Sequence, residues 1–518
     1  MNRLEMISRI QENEIWDIII IGGGASGVGI ALDSASRGYK TLLLERGDFA
    51  QGTSSRSTKL IHGGVRYLQQ GNISLVLEAL KERGILRRNA PHLVHNLPFI
   101  VPNYDWWEGP FYGVGLKIYD MLAGKEGFGS SKIISKEETL KHIPTIEQEG
   151  LNGGVIYYDG QFDDARLVIN LAKTATEQGG VLINYVNVTQ LIKKNGLIKG
   201  VIATDIESRE EYKLNSKVVI NATGPFTDSV REMDEPEIQK IITPSQGVHM
   251  VLDKEFLPGD SAIMVPHTDD GRVIFAIPWQ NKILVGTTDT PLKSIDSEPI
   301  PQSDEVDFLL EHTARYLSKD PTKADIKSVF AGIRPLVVNP EAENTAAVSR
   351  EHVVTISKAG LVSIAGGKWT TYRKMAEDAL EQAMLVGGLE DSVCQTRDLQ
   401  IHGFHKHSDN FKELSIYGSD VIEIQNIVRT DNSLGERIIQ SEEVIKAEVI
   451  WAVREEMAVN ISDFLSRRRR MLLLDAKASM EMAPIVAELM RKELGKNKKW
   501  KKNQVDSFNN LAQNYLVK

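Results

Sequence analysis

The chain has 518 residues, 42% hydrophobic and 25% charged, which is the profile of a soluble globular enzyme and too long for one hydrophobic core, so two or three domains are expected. A formal net charge of −9 argues against a dedicated nucleic-acid binder. Cys394 is the only cysteine, which excludes an internal disulfide, a cysteine-ligated zinc site or an iron–sulfur cluster built from this chain and fits a reducing cytosolic compartment.

Met1 to Ile15 mixes charged and apolar residues and lacks the apolar core of a signal peptide. No run of 18 apolar residues occurs, so no membrane-spanning helix is expected. Trp16 to Ile21, with four consecutive isoleucines, reads as a buried parallel strand. Gly22, Gly24 and Gly27 follow at G-x-G-x-x-G spacing, with Ala25 and Ser26 between them. The first glycine permits the tight turn, the second lets backbone approach a pyrophosphate, and the third allows close helix packing. Ser26 to Arg37 reads as a helix whose N-terminal amides and dipole face the phosphates. A second strand, Thr41 to Leu44, ends in Glu45, 18 residues past Gly27, where an acid accepts hydrogen bonds from ribose hydroxyls.

Gln51 to Tyr67 is rich in Ser, Thr and Gly, a composition that supplies donors to phosphate oxygens. Gly63 and Gly64 let backbone lie close to a flat ring. Leu75 to Ala90 reads as a helix and Pro91 to Pro102 as an extended run. Val155 to Ala165 reads as a strand and turn leading into a helix to Gln178, and Val181 to Val188 as a strand. Two hairpin-like strands follow up to Tyr212. Lys217 to Ala222 is a buried strand closing at Ala222, Thr223 and Gly224. Gly247–Leu252, Val273–Pro278 and Ile283–Thr287 read as antiparallel strands, the last two joined by a hairpin at Trp279 to Lys282. Thr371 to Val386 is a helix, and Glu443 to Leu494 is mostly helical. This order predicts a discontinuous dinucleotide-binding domain (15–100, 160–240 and 330–388), an inserted antiparallel domain (101–159 and 241–329) and a helical domain (389–518). His402, His405 and His407 lie in a polar linker and read as solvated, not as metal ligands; no metal is expected.

Several motifs stand together and in order. Thr53 to Leu68 reads TSSRSTKLIHGGVRYL, Asp163 to Leu167 reads DDARL, and Asn221 to Pro225 reads NATGP. Ile277 to Trp279 reads IPW, Gly286 to Asp289 reads GTTD, Gly332 to Leu336 reads GIRPL, and Gly366 to Lys374 reads GGKWTTYRK. In these the chain resembles the FAD-dependent glycerol-3-phosphate dehydrogenases from about residue 15 to 385. The resemblance is looser beyond that, where Phe464 to Leu473 looks like the family's helical domain.

The resemblance implies a glutathione-reductase-like FAD-binding Rossmann domain, an antiparallel substrate domain and a helical cap. It also implies oxidation of glycerol 3-phosphate to dihydroxyacetone phosphate, hydride passing from C2 to FAD and electrons leaving to a membrane quinone. FAD contacts are then expected at Gly22, Gly24, Ala25, Ser26, Gly27, Glu45, Thr53, Ser54, Ser55, Ser57, Lys59, His62, Gly63 and Gly64. Others are expected at Val188, Ala222, Thr223, Gly224, Gly332, Gly367, Lys368, Thr370 and Thr371. A helix start at Thr370–Thr371 aimed at the flavin would stabilise the anion formed on reduction.

By similarity, Arg66, Tyr67, His249, Arg334, Arg350 and Lys368 line the substrate pocket, where clustered cations suit a dianionic phosphate. His249, Arg334 and Lys368 are the expected catalytic groups. His249 is the candidate base, since imidazole titrates near neutrality and flanking cations would keep it neutral; His62 is the next. Arg467–Arg470 and Arg491 to Lys502, with Trp500, are candidates for docking on an anionic membrane at the cytoplasmic face. The arginines alternatively pair with acids at a domain contact or in a homodimer. Two other readings are a glycerol-3-phosphate oxidase using O2 and a non-catalytic FAD-bound scaffold.

Overall fold

A computed structural model describes residues 1–12, 15–65, 68, 72–265, 268, 271–338 and 352–517. Arg66, Tyr67 and Arg350 lie outside the described residues. The first sheet runs in the order His352–Ile356, Leu361–Gly366, Glu211–Asn221, Ile15–Ile21, Thr41–Leu44, Val181–Ile183. All of these pairings but the first are parallel, with Ile18 to Ile21 opposite Val218 to Asn221 on one side and Thr41 to Leu44 on the other. All four isoleucines are buried, as a strand covered on both faces requires. The helices Ala25–Ser36 and Asp164–Glu177 pack against one another, and Tyr372–Gly387 packs on Ala25–Ser36.

The expected strand Val181 to Val188 is two strands. Tyr185, at φ 57°, breaks it, and Val186–Lys194 turns away into an antiparallel hairpin with Leu197–Asp205.

The second sheet has ten strands in mostly antiparallel pairing, with Ile242–Asp253 paired to both Lys282–Gly286 and Ser328–Val337. The hairpin between Ile274–Trp279 and Lys282–Gly286 turns at Gln280 and Asn281, both at positive φ, as a two-residue turn of this kind demands. Val94–Asn103 and Ser328–Val337 also belong to this sheet, whereas the sequence assigns residues up to 100 and from 330 to the nucleotide-binding domain. Both strands are apolar on alternate or successive positions, and composition alone does not say which sheet they join.

The C-terminal helices Lys446–Glu455, Ala476–Glu493 and Lys498–Ala512 enclose a core of Phe464, Leu465, Met482, Val486 and Phe508. The arginine run is not a lipid-facing surface. Arg467 and Arg468 are buried on Asp48, Arg470 pairs with Asp164 at 3.0 Å, and Arg166 pairs with Glu456. Desolvated guanidinium groups persist only when paired in this way, and the pairing fastens the helical domain to the first. Trp500 packs on the C-terminal core, Lys501 pairs with Glu488 and Lys502 with Asp506. Nor is His402 solvated: it is bound by Asp420 at 2.8 Å and by Glu177. Among the described residues no acid–histidine cluster suits a metal, and no helix is long and apolar enough to cross a membrane.

Candidate active site

Four of the five parallel strands end at Ile21, Leu44, Asn221 and Gly366, and the segments from Gly22, Glu45, Ala222 and Gly367 leave from these carboxyl ends, where an open α/β sheet binds its ligand. Gly22 sits at φ 112°, and a Cβ there would come within 2.6 Å of the Ala222 carbonyl oxygen. At Gly27 a Cβ would meet the Gly22 carbonyl oxygen at 1.9 Å, so helix and turn touch only because both residues are glycine. Gly24 caps the helix without a side chain. The Ala25 amide donates to Ser54 Oγ at 2.9 Å, which ties the hydroxyl loop to the helix start. The result is a concave run of backbone bounded by Gly22–Ser26, Ser54 and Ala222–Gly224, which fits a dinucleotide pyrophosphate.

Glu45 accepts backbone N–H bonds from Gly23 at 2.6 Å and Gly47 at 2.7 Å. Burial raises its pKa and those two amides oppose the rise. Its carboxylate therefore shapes the turn as well as ending the strand. Val188 is buried just before a bulge in its hairpin.

The hydroxyl loop splits into two roles. Thr53 Oγ1 donates to the Ile333 carbonyl at 2.5 Å, and a Cβ on Gly332 would lie 3.0 Å from Arg56, so the loop is pressed against Ser328–Val337. Ser57 and Lys59 point instead to Asp164: Ser57 Oγ and Lys59 Nζ each donate to Oδ2 at 2.7 Å, and Lys59 also donates to the Ser55 carbonyl at 2.8 Å. Arg470 donates to the same carbonyl. Burial lowers Lys59 to about 7, with Asp164 holding it up and Arg470 pushing it further down. Burial pushes the Asp164 carboxyl up, and Lys59 and Arg470 outweigh it, leaving it below the usual carboxylate range.

His62 and Thr370 meet through backbone. The His62 amide donates to Thr370 Oγ1, which in turn donates to the His62 carbonyl, each at 3.3 Å. Trp369 Nε1 donates to the Ser54 carbonyl at 2.9 Å. Gly366 and Gly367, at φ 76° and 80°, turn the chain from the strand to Lys368 and the helix start at Thr370–Thr371. Segments near residues 24, 54, 62 and 370 thus form one rim. The Gly63 amide donates to the buried Tyr119 hydroxyl at 2.7 Å, and that hydroxyl donates to Asp159 at 2.8 Å.

Beside this rim lies a cavity of about 200 Å³. Its polar half carries Thr58, His62, Asp159, Arg272, Thr287, Thr288, Asp289 and Arg334; its apolar half carries Leu60, Phe99, Tyr157, Met264 and Phe275. Arg334 donates to Asp289 at 3.2 Å, to Thr287 Oγ1 at 3.2 Å and to the Thr288 carbonyl at 3.0 Å, which sets its guanidinium at the cavity edge. Thr58 Oγ1 is 2.9 Å from His249 Nε2. The imidazole is buried, stacks on Phe330 at 5.0 Å, and its Nδ1 has no hydrogen-bond partner among the described residues. Burial holds its pKa well below 6.5, with Lys59 and Arg334 adding to the shift. Cations do keep the ring neutral, as the sequence suggests, but desolvation is the larger cause.

Thr58, Arg272, Thr287 and the apolar wall are not among the residues the sequence nominates. Thr58 and Thr287 lie inside the motifs already recognised, and the signal was a hydroxyl beside a nominated base or cation. Arg272, over the Phe308 ring at 4.5 Å, carries no such mark.

Residues 17–373 match the family described as FAD dependent oxidoreductase, and residues 364–503 match the C-terminal domain of alpha-glycerophosphate oxidase. The chain is 40% identical to the mitochondrial glycerol-3-phosphate dehydrogenase of Homo sapiens, over 98% of this chain and 74% of that one. It is also 40% identical to that of Mesocricetus auratus, over 95% and 72%. The solved glycerol-3-phosphate dehydrogenase of Bacillus halodurans, complexed with FAD, superposes with a TM-score of 0.82 at 29% identity, covering 99% of this chain and 98% of that one. The L-alpha-glycerophosphate oxidase of Mycoplasma pneumoniae, with FAD bound, shares the fold at a TM-score of 0.57 and 19% identity over 71% of this chain and 95% of that one.

Proposed function

The chain belongs to the FAD dependent oxidoreductases and, within them, to the FAD-dependent glycerol-3-phosphate dehydrogenases, and from that premise we propose how its own residues carry the reaction. It is an FAD enzyme that oxidises glycerol 3-phosphate. When bound, FAD accepts the hydride leaving C2 and passes two electrons on, in this reading to a membrane quinone.

The backbone of Gly22 to Gly27, with Ser54 beside it, would hold the FAD pyrophosphate, and Gly63, Gly64 and Thr370–Thr371 would hold the isoalloxazine. The observation that carries the substrate reading is a fixed arginine at the cavity edge together with a buried imidazole of lowered pKa that stands behind the cavity-wall hydroxyl of Thr58. Arg334, with Lys368, Arg66, Tyr67 and Arg350 by their motifs, binds the dianionic phosphate, since guanidinium and ammonium groups give charge-assisted hydrogen bonds to it. His249 takes the C2 hydroxyl proton at Nε2. Thr58 Oγ1 stands on the cavity wall against that nitrogen and gives the proton a short route to the ring. A desolvated imidazole with depressed pKa enters the reaction unprotonated, as a base must.

Anaerobic titration of the FAD-loaded enzyme with glycerol 3-phosphate, glycerol and amino acids tests the substrate. Bleaching of the visible flavin band by glycerol 3-phosphate alone supports it, and bleaching by an amino acid overturns it. Opening the reduced sample to air tests the acceptor: peroxide released at the turnover rate makes the protein an oxidase.

A further inference from the structure

Thr58, whose hydroxyl meets His249, sits in a segment with little regular structure of its own. After the short turn Thr53–Ser55 the chain passes Arg56 at φ −121° and Lys59 at φ 60° before it joins the second sheet at Leu60. Side chains brought from elsewhere fix its course, and Asp164 is the main one. Asp164 Oδ2 accepts from the Ser57 amide at 3.1 Å, from Ser57 Oγ at 2.7 Å and from Lys59 Nζ at 2.7 Å. The residues on both sides of Thr58 thus hang on one carboxylate.

Arg470 completes this arrangement from the helical domain, 306 residues further along the chain. Its guanidinium donates to Asp164 Oδ1 at 3.0 Å and, together with Lys59, to the Ser55 carbonyl. Arg470, Lys59 and Asp164 are wholly buried, where charge-assisted bonds are strong and a lost partner leaves a charge poorly matched. Arg470 lies at φ 50°, a conformation that a residue with a Cβ keeps only where its surroundings fix it. A further bond, to the Ser466 carbonyl at 2.9 Å, holds its side chain in the same pose. The neighbouring arginines act elsewhere. Arg467 and Arg468 fasten the domains at Asp48, and Arg469 pairs with Glu448 inside the helical domain at 3.2 Å. These pairs lie outside the segment that carries Thr58.

We propose that Arg470 is a positioning residue: through Asp164 and the Ser55 carbonyl it holds the segment that sets Thr58 against His249. The helical domain then completes the active site rather than merely capping it. The inference rests on the reading that Thr58 and His249 carry the C2 proton.

The test uses the FAD-loaded enzyme and two measurements, anaerobic flavin reduction and hydrogen–deuterium exchange of peptides from residues 52–61. In Arg470→Gln, reduction at saturating glycerol 3-phosphate should slow about 10- to 100-fold, with FAD content and substrate affinity at wild-type values. Exchange in 52–61 should quicken about tenfold or more. Arg470→Lys, which returns a cation to Asp164, should recover part of both. In a Thr58→Val background, Arg470→Gln should slow reduction no further, because two changes on one route are not additive. Arg469→Gln, which loosens the helical domain alone, should leave both measurements unchanged. If Arg470→Gln fails to fold, Arg470→Lys carries the test with the same signs, since it loses one of the two contacts.

Unchanged exchange in 52–61 overturns the inference whatever the rate. Additive slowing in the double variant overturns it too, as does an equal effect in Arg469→Gln, since either makes Arg470 a general support of the fold. Wild-type reduction in Arg470→Gln with slow reduction in Thr58→Val also overturns it and leaves the proton route standing. Faster exchange with wild-type reduction in both variants keeps Arg470 as the holder of the segment and removes Thr58 from the proton route.

Discussion

The imidazole of His249 lies across the Cα of Gly286. The two residues face each other on adjacent antiparallel strands, and a Cβ placed on Gly286 would sit 2.2 Å from His249 Cδ2. Phe330, opposite His249 on the other neighbouring strand, stacks on the ring at 5.0 Å. The ring is thus clamped from both sides of its strand, with Thr58 fixing Nε2. Ordinary van der Waals contact needs more than 3 Å, so a methyl at 286 displaces the ring.

Gly286→Ala is expected to slow flavin reduction about 100-fold, the typical penalty for misplacing a reacting group by roughly 1 Å, with FAD still bound. Anaerobic stopped-flow reduction alongside the flavin spectrum measures both. A rate within threefold of wild type means that the ring is not the base or finds another seat.

Thr58→Val removes the hydroxyl on Nε2 while keeping the shape. Reduction should slow, and the slowing should be reversed in Thr58→Ser. In His249→Ala, reduction should fall by about 10²- to 10⁴-fold, the usual range for a general base, and the Thr58 substitutions should then have no further effect. The wild-type acidic limb should lie below pH 6.5, because burial holds the imidazole pKa down, and it should vanish in His249→Ala.

Arg334→Ala deletes a guanidinium at the cavity edge. A charge-assisted contact is typically worth about 1.5–3 kcal/mol, so binding of glycerol 3-phosphate should weaken about 10- to 100-fold with the FAD content unchanged. Equal affinity in an equilibrium titration would remove Arg334 from the phosphate site.

Gly24→Val puts a branched side chain into the concave backbone run, where even a Cβ comes within 3.0 Å of Ser54 Oγ. The purified variant should be colourless or nearly so. A full yellow complement of FAD would mean that the pyrophosphate lies elsewhere.

His402 joins the linker to the helix Asp164–Glu177. Burial pulls its pKa down, but hydrogen bonds to Asp420 and Glu177 outweigh this and raise it above 6.5. A group raised in this way adds stability that is complete below its unfolded pKa and is lost as pH rises through the folded one. His402→Gln should therefore lower Tm more at about pH 6 than at about pH 9. A Tm difference that grows with pH would contradict the assignment.

Local sequence determines much of this protein. The four isoleucines before Gly22, and the glycines at 22 and 27, specify a buried strand and a turn that only glycine can make, because part of the constraint is local: the positive φ of Gly22 and the contact of Gly27 with the Gly22 carbonyl. The motif GIRPL around Arg334 likewise marks the family through residue type and order. The tertiary structure alone decides where long-range partners fall. Four consecutive arginines read as a solvated or lipid-facing run until Asp48 and Asp164, more than 300 residues earlier, take up their charge. The helix Glu108–Ala123 carries apolar residues all round, and composition cannot say which stripe is core; only the sheet packed beneath Tyr112 and Leu116 makes the other one surface. His249 is a strand histidine like any other until Gly286, Phe330 and Thr58 close on it from three separate elements, and burial by those neighbours, which no local pattern encodes, is what depresses its pKa.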